Sequence, residues 1–397
     1  MSDRLRDRCA IVGIGNTAYT RGADQSTSEL HLEATLRAVA DAGLRAQDID
    51  GIMPNDVAGV CAEELMVNLG LPDLAFSATV RTGGASVVAS ILDACLAVDS
   101  GVATCVLVVA GRLGYSQQRI SRNSSGARPP TIGMPPALAS VFEFERPYGS
   151  IGPAQLYAQA AQRHMHQYGT TSEQFGRVAV ACRRHANLNP QALMYERPMT
   201  LEEHQASRII TTPFHLLDCS LESDGAGAFL ITSTERARDL AKRPVLTAGV
   251  GEGHGNPPTS ITQKRDMAFI EGVHTAGVRA FEMAGVGPAD IDCAQLHDPF
   301  TWLVVGELEA LGFCEVGAGG SFVEDGRIEL GGELPVNTHG GLLSEAHVSG
   351  VNHVIEAVRQ LRGEVEPERQ VPDCTTVLVN NEGDMHEGSV AILRRDV

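Results

Sequence analysis

The chain opens on an apolar run, Cys9-Ala10-Ile11-Val12-Gly13-Ile14-Gly15, whose length and closing glycines predict a strand. From about Ser28 to Ala42 the apolar positions fall at helical spacing, and Gly43 stands where a left-handed cap would end the helix. The stretch Val39-Ala40-Asp41-Ala42-Gly43-Leu44-Arg45-Ala46-Gln47-Asp48-Ile49-Asp50 then returns as Phe281-Glu282-Met283-Ala284-Gly285-Val286-Gly287-Pro288-Ala289-Asp290-Ile291-Asp292. In both copies an Ala-Gly helix end leads to an Asp-Ile-Asp strand entrance in register.

The repeat extends on either side. Val245 to Gly251 echoes the first strand. Gly83-Gly84-Ala85-Ser86 opens a helix that ends near Ser100-Gly101, before the apolar strand Thr104–Ala110. Gly340-Gly341-Leu342-Leu343 opens another, ending near Arg362-Gly363, before the strand Thr375–Asn380. Each half therefore reads as βα…βαβ, which predicts two mainly parallel sheets covered by helices. The division falls at 1–240 and 241–397, with a loop and helix insertion over 115–200. Within it, Tyr115 to Ala154 is rich in Ser, Arg, Pro and Gly and reads as irregular, followed by helical stretches at 155–168 and 172–185.

Composition narrows the function. Hydrophobic residues make up 43% and charged residues 20% of 397, ordinary for a globular chain of this length. No run reaches the ~18 apolar residues of a membrane span. No signal-peptide pattern precedes the first strand, so a cytoplasmic location is expected. A net charge of −18 disfavours nucleic acid and anionic membranes as partners, though a local cationic cluster still suits an anionic ligand. Nine cysteines without a C-x-x-C pair exclude a zinc ribbon within the chain and read as reduced thiols. The histidines show no metal-ligand spacing, so no metal is expected. Gly13-x-Gly15 lacks the third glycine of a dinucleotide fingerprint and reads as a tight turn from strand to loop.

Two motifs in the second half carry chemistry. The first is His297-Asp298-Pro299-Phe300-Thr301, followed by Glu307 to Cys314. The second is Asn337-Thr338-His339-Gly340-Gly341-Leu342-Leu343-Ser344-Glu345-Ala346-His347. With Tyr168-Gly169, Arg183-Arg184-His185-Ala186, Asn189-Pro190 and Ser223-Asp224-Gly225-Ala226, they make essentially the whole chain resemble the thiolase superfamily. The closer resemblance is to the branch of sterol-carrier-protein-type thiolases and lipid-transfer-protein-type steroid side-chain aldolases. It implies an α/β, thiolase-like fold of two duplicated βαβαβαββ-type halves in a layered αβαβα core. It further implies a homodimeric core, coenzyme A as part of the substrate with no cofactor bound by this chain, and a small partner subunit with a zinc ribbon and an OB-like fold.

The departures from that family pattern are informative. The position of the family's nucleophilic cysteine falls on Gly84, which has no side chain. The cysteine of the HD-x-F motif is replaced by Pro299, and the C-terminal loop Asn380–His386 has no cysteine either. Cys95 lies eleven residues into the helix that Gly84 begins, about three turns away at ~1.5 Å per residue. The other cysteines sit in or beside apolar stretches and read as packing residues.

A retro-Claisen cleavage needs a nucleophile to capture the acyl group, whereas a retro-aldol cleavage needs only a base, donors for an enolate oxygen and a proton at carbon. The resemblance implies His297 and His347 as the catalytic pair. His347 would serve the thioester oxygen and His297 the β-hydroxyl proton, or the reverse. Asn337, His339, Gly341 and Asp298 are expected to support them, with Asn337 and His339 orienting water or His347. The family's aldolases would carry tyrosine at one or both histidine positions. Ser86 and Ser344, near helix starts, read as caps. His164, His166 and His353 read as surface or packing residues. Three functions stay open: an acyl-CoA aldolase, an acyltransferase of the acetyl-CoA acetyltransferase type, and a non-catalytic acyl-CoA-binding subunit.

Overall fold

The computed structural model describes residues 2–396 apart from 56–58, 117–140, 151, 258 and 384–386. Most of the predicted irregular loop and the tip Asp384-Met385-His386 therefore lie outside the described residues.

Nine strands form one sheet: β1 Cys9–Asn16, β2 Gly51–Pro54, β3 Phe76–Ser77, β4 Cys105–Leu113, β7 Asp224–Ser233, β8 Val245–Gly253, β9 Cys293–Gln295, β10 Thr376–Glu382 and β11 Gly388–Arg395. Their order is β3-β2-β4-β7-β1-β8-β11-β10-β9. A small ribbon, β5 Ile209–Thr211 and β6 Phe214–His215, stands apart. The helices are α1 Thr27–Ala42, α2 Ala62–Asn68, α3 Ser86–Asp99, α4 Pro153–Tyr168, α5 Ser172–Asn187, α6 Leu201–Ala206, α7 Thr234–Ala237, α8 Glu271–Ala284, α9 Thr301–Ala310, α10 Gly319–Phe322, α11 Gly341–Ser344 and α12 Val351–Arg362.

Two parallel sheets were expected, and one mixed sheet is found. Only β2–β3, β2–β4 and β9–β10 pair parallel; the pairs through β1, β7, β8 and β11 are antiparallel. The cause is that the last strand of each half, β7 or β11, runs back antiparallel between β4 and β1 or between β10 and β8, and so inserts beside the first strand of its half. The halves meet through β1 and β8, which pair only at Ala10–Leu246 and Ile11–Val245. Helices α3 and α12 each pack against strands of both halves and form the middle layer. Helices α1 and α2 cover the outer face of the first half, and α8 and α9 that of the second. The αβαβα layering follows.

The duplication is visible in hydrogen bonds. The Asp50 carboxylate accepts the backbone N–H of Thr104 and Cys105 and the Thr104 hydroxyl, at 2.7–2.9 Å. Asp292 does the same for Thr375 and Thr376, at 2.7–2.9 Å. The Gly-x-Gly of β1 is no turn. A Cβ on Gly13 would stand 2.2 Å from the Ala38 carbonyl oxygen, and one on Gly249 at the matching place 2.2 Å from that of Ala280. These glycines let a helix backbone lie directly on the strand.

Local signals set the helix ends. Ser26 with Glu29 and Thr171 with Gln174 form capping boxes that start α1 and α5. The helix expected from Gly340 to Arg362 is broken: α11 stops at Ser344 and α12 starts at Val351. The intervening turn holds Ser349 and Gly350 at φ 62° and 76°. A Cβ on Gly350 would lie 2.3 Å from the Asn381 amide nitrogen, so β10 reaches into the space where the helix would run on. His347 stands in that break.

Candidate active site

The sequence motifs converge where the ends of β4, β9 and β10 meet the entrances of α3 and α11. His297 follows β9 and is held on three sides. Its backbone N–H donates to Asn380 Oδ1 at 3.1 Å, and its Nδ1 accepts the Glu382 backbone N–H at 3.3 Å. Asn337, at φ 53°, clamps the preceding residue: Oδ1 accepts the Leu296 N–H at 2.7 Å and Nδ2 donates to the Leu296 carbonyl at 2.9 Å. With Nδ1 accepting, the proton of the neutral imidazole sits on Nε2. Burial, reinforced by the neighbouring His353 ring, pushes the His297 pKa down to about 3. The ring is neutral at physiological pH.

His347 shows the opposite tautomer. Arg112, at the end of β4, places Nη1 3.3 Å from His347 Nε2, and Ser220 Oγ lies 2.9 Å from Nδ1. A guanidinium only donates, so Nε2 presents its lone pair and Nδ1–H donates to Ser220. Burial lowers the His347 pKa well below the usual imidazole value, the Arg112 charge lowers it further, and the neighbouring His297 and His353 rings act in the same direction. The backbone N–H donates to Ser223 Oγ at 2.8 Å, which fixes the break between α11 and α12.

Asp298 ties the two motifs together. Its Oδ1 accepts the Leu342 N–H at 2.8 Å and Oδ2 the Leu343 N–H at 3.2 Å, while His353 Nε2 donates to Oδ1 at 3.1 Å. Gly341, at φ 63°, is required there, since a Cβ would stand 2.0 Å from Asp298 Oδ2. His353, read from sequence as a packing residue, thus orients Asp298. His339 lies fully buried below, with Nδ1 donating to Gln295 Oε1 at 3.1 Å and Nε2 3.6 Å from Glu345 Oε2. Neither Asn337 nor His339 bonds to His347, although orienting it was one of the two alternatives expected of them, beside orienting water; both brace the strand end that carries His297. The loop is fixed from beneath by Thr338, whose hydroxyl donates to Glu356 at 2.6 Å. Glu356 in turn is paired with Arg369 at 2.7 Å. Ser86 caps its turn, donating to the Gly83 carbonyl at 2.7 Å, whereas Ser344 accepts from Arg183 Nε at 3.0 Å and is no cap.

Gly84, where the family's nucleophile is expected, has no room for a side chain. A Cβ on Gly84 would lie 2.2 Å from the Glu382 carbonyl oxygen and 2.8 Å from His297 Cε1. Pro299 contributes its carbonyl, which accepts the Ser220 N–H at 2.9 Å and so seats the serine that holds His347. The Cys9 contact and then burial hold the Cys95 thiol well above its usual pKa, burial does the same for Cys182, and it pushes those of Cys105, Cys219 and Cys314 up to about 12. No such group is a poised thiolate. Among the described residues there is no cluster suited to a metal ion, and no helix is long and apolar enough to cross a membrane. The apolar groove lined by Val278, Phe281 and Leu311 lies on the outer face of the second half and contains neither site histidine.

Sequence reasoning missed Arg112 and Ser220, and named Asn380 and Glu382 only as members of the C-terminal loop. Only Arg112 left a signal, a charge ending the otherwise apolar run Cys105–Gly111.

Fold and site together define a thiolase-type α/β protein with two histidines beside a glycine, Gly84, that has no room for a side chain. Residues 251–395 match the thiolase C-terminal domain-like family. A steroid side-chain-cleaving aldolase of Thermomonospora curvata is 41% identical over 377 residues, 94% of this chain and 95% of that protein. The 17-hydroxy-3-oxo-4-pregnene-20-carboxyl-CoA lyase of Mycobacterium tuberculosis is 38% identical over 368 residues, 90% of this chain and 92% of its own length. The solved structure of an Ltp2-ChsH2(DUF35) aldolase superposes with a TM-score of 0.89 at 39% identity, covering 99% of both chains. The chain belongs to the thiolase superfamily, in its branch of steroid side-chain aldolases.

Proposed function

We propose that this chain is a lyase that cleaves a β-hydroxyacyl-CoA by a retro-aldol reaction, with a steroid as the acyl group. The observation that carries the reading is the closed Gly84 position beside two neutral histidines of opposite tautomer. A thiolase cycle has nowhere to place its acyl group here. A retro-aldol cycle finds a proton acceptor, His347 Nε2, and a proton donor, His297 Nε2.

The tautomers support one division of roles. His347 takes the β-hydroxyl proton as the Cα–Cβ bond breaks, leaving a ketone at the β-carbon and a thioester enolate. His297 Nε2–H donates to the enolate oxygen, and the histidine that took the proton returns it to the α-carbon. Atoms balance without free CoA or an oxidant. For the ester named for the Mycobacterium relative, the products would be a 17-ketosteroid and propionyl-CoA.

The likeness to a complex with a DUF35 subunit supports a small partner of that kind for this chain. Incubating the chain, alone and with a DUF35 subunit, with 17-hydroxy-3-oxo-4-pregnene-20-carboxyl-CoA tests the proposal by mass spectrometry of the products. Release of the ketone and propionyl-CoA without added CoA is the expected result. A product that needs free CoA, or a protein mass raised by an acyl group, would establish acyl transfer instead. No turnover with a bound partner would leave a binding subunit.

A further inference from the structure

Arg112 has no counterpart in the sequence motifs, yet it stands against the site. Its side chain is largely buried at the end of β4, with Nη1 3.3 Å from His347 Nε2. A cation there poses a chemical problem. Burial and this cation together make His347 a weak base, and a weak base removes an alcohol proton only if the alkoxide is stabilised in the same step. The geometry contains the remedy, because the guanidinium already donates to the imidazole lone pair, and an oxygen that displaces this bond meets a donor and an acceptor at once.

We propose that Arg112 is a further catalytic residue, which donates to the substrate's β-oxygen while His347 Nε2 accepts that oxygen's proton. This rests on the aldolase reading above. The β-hydroxyl displaces the Arg112–His347 bond as the arginine side chain draws back, donating to Nε2 and accepting from Nη1. The proton moves to Nε2, the Cα–Cβ electron pair becomes the enolate, and the β-oxygen leaves as a ketone still bonded to Arg112. The imidazolium, with the guanidinium beside it, is a strong acid and protonates the α-carbon. Ser220 Oγ, accepting from Nδ1–H at 2.9 Å, keeps Nε2 available as the acceptor.

The charged and titratable groups around His347 are Arg112 from β4, His297 after β9 and His353 from α12. Glu222 and Asp224, before and at the start of β7, offset the Arg112 charge. Removing Arg112 therefore removes the nearest cation from His347 and raises its basicity.

The test separates β-oxygen chemistry from α-carbon chemistry in the full chain with its partner. Cleavage of the steroid ester is measured beside α-proton exchange of propionyl-CoA in D2O, which has no β-oxygen. In Arg112→Gln, cleavage falls about 10²-fold or more, exchange persists, and the acidic limb of kcat/KM moves to higher pH. Arg112→Lys keeps the charge without the fork and falls between. Unchanged cleavage, or equal loss of cleavage and exchange in a variant that keeps the wild-type Tm, overturns the proposal. Should the variants not fold, ¹⁵N spectra of histidine-labelled wild type decide: Nε2 of His347 must be the unprotonated nitrogen, and a protonated Nε2 refutes the assignment. Wild type that cleaves nothing refutes the aldolase reading itself, a different result from any of these.

Discussion

Restoring a cysteine at Gly84 should not restore a thiolase. The substitution Gly84→Cys adds a Cβ 2.2 Å from the Glu382 carbonyl oxygen, about 1 Å inside an ordinary contact, and 2.8 Å from His297 Cε1. The obstacle is backbone, so the end of β10 must move, and the Glu382 N–H that binds His297 Nδ1 moves with it. Overpacking of this kind costs about 1–3 kcal/mol. At an unfolding entropy of ~2.1 cal/mol/K per residue the Tm would fall by roughly 1–4 °C. Displacing the His297 ring by about 1 Å should cost on the order of 10²-fold in kcat. Calorimetry and product analysis on Gly84→Cys and Gly84→Ala together provide the assay, because both carry the Cβ and only one the thiol. The expected result is equal loss in both, with no acyl adduct after incubation with acyl-CoA. Wild-type Tm and turnover in Gly84→Cys, or an acylated protein, would refute the reasoning.

Three further outcomes follow from the geometry. His297 is depressed mainly by burial from ~6.5 to about 3, so the native state binds fewer protons than the unfolded one; its stability contribution is complete above pH 6.5 and is lost as pH falls toward 3, by up to about 5 kcal/mol. Urea midpoints between pH 7 and 4 should fall less steeply in His297→Gln, and wild-type kcat/KM should show no acidic limb near 6.5. Asp298→Asn removes one acceptor oxygen from the bonds to Leu342, Leu343 and His353, and should lower stability by about 1–3 kcal/mol with a larger fall in kcat than in affinity for substrate. Asp50→Ala and Asp292→Ala break equivalent clamps in the two halves; each should cost about 1–3 kcal/mol, similar in size and additive, and strong non-additivity in denaturation would contradict their independence.

Much of the fold was legible because the repeat carries its own chemistry. The Asp-Ile-Asp strand entrance and the Gly43 and Gly285 helix ends are local signals, and each is found with the role its residue type dictates. The pairing of strands was not legible. Whether β7 and β11 return beside the first strand of each half depends on long-range register, which period-two patterning does not encode. The break at Glu345–Gly350 was hidden for the same reason, because Asn381, which occupies the helix path, comes from a distant strand. In the site, His297, His347, Asp298 and Gly341 were visible through their motifs. Their hydrogen-bond partners Arg112 and Ser220 lie far away in sequence and became visible only in three dimensions, as did the bond from the Glu382 backbone to His297.

Gly84 and Arg112 belong to the first half of the chain, and His297 and His347 to the second, so the site is an internal interface. Turnover then reports docking. Fragments 1–240 and 241–397, produced separately, should each be inert and regain cleavage on mixing in proportion to the complex formed. The half-to-half contact could be titrated by product release alone, and any substitution in the α3 and α12 layer ranked by how much of one fragment is needed to switch on the other.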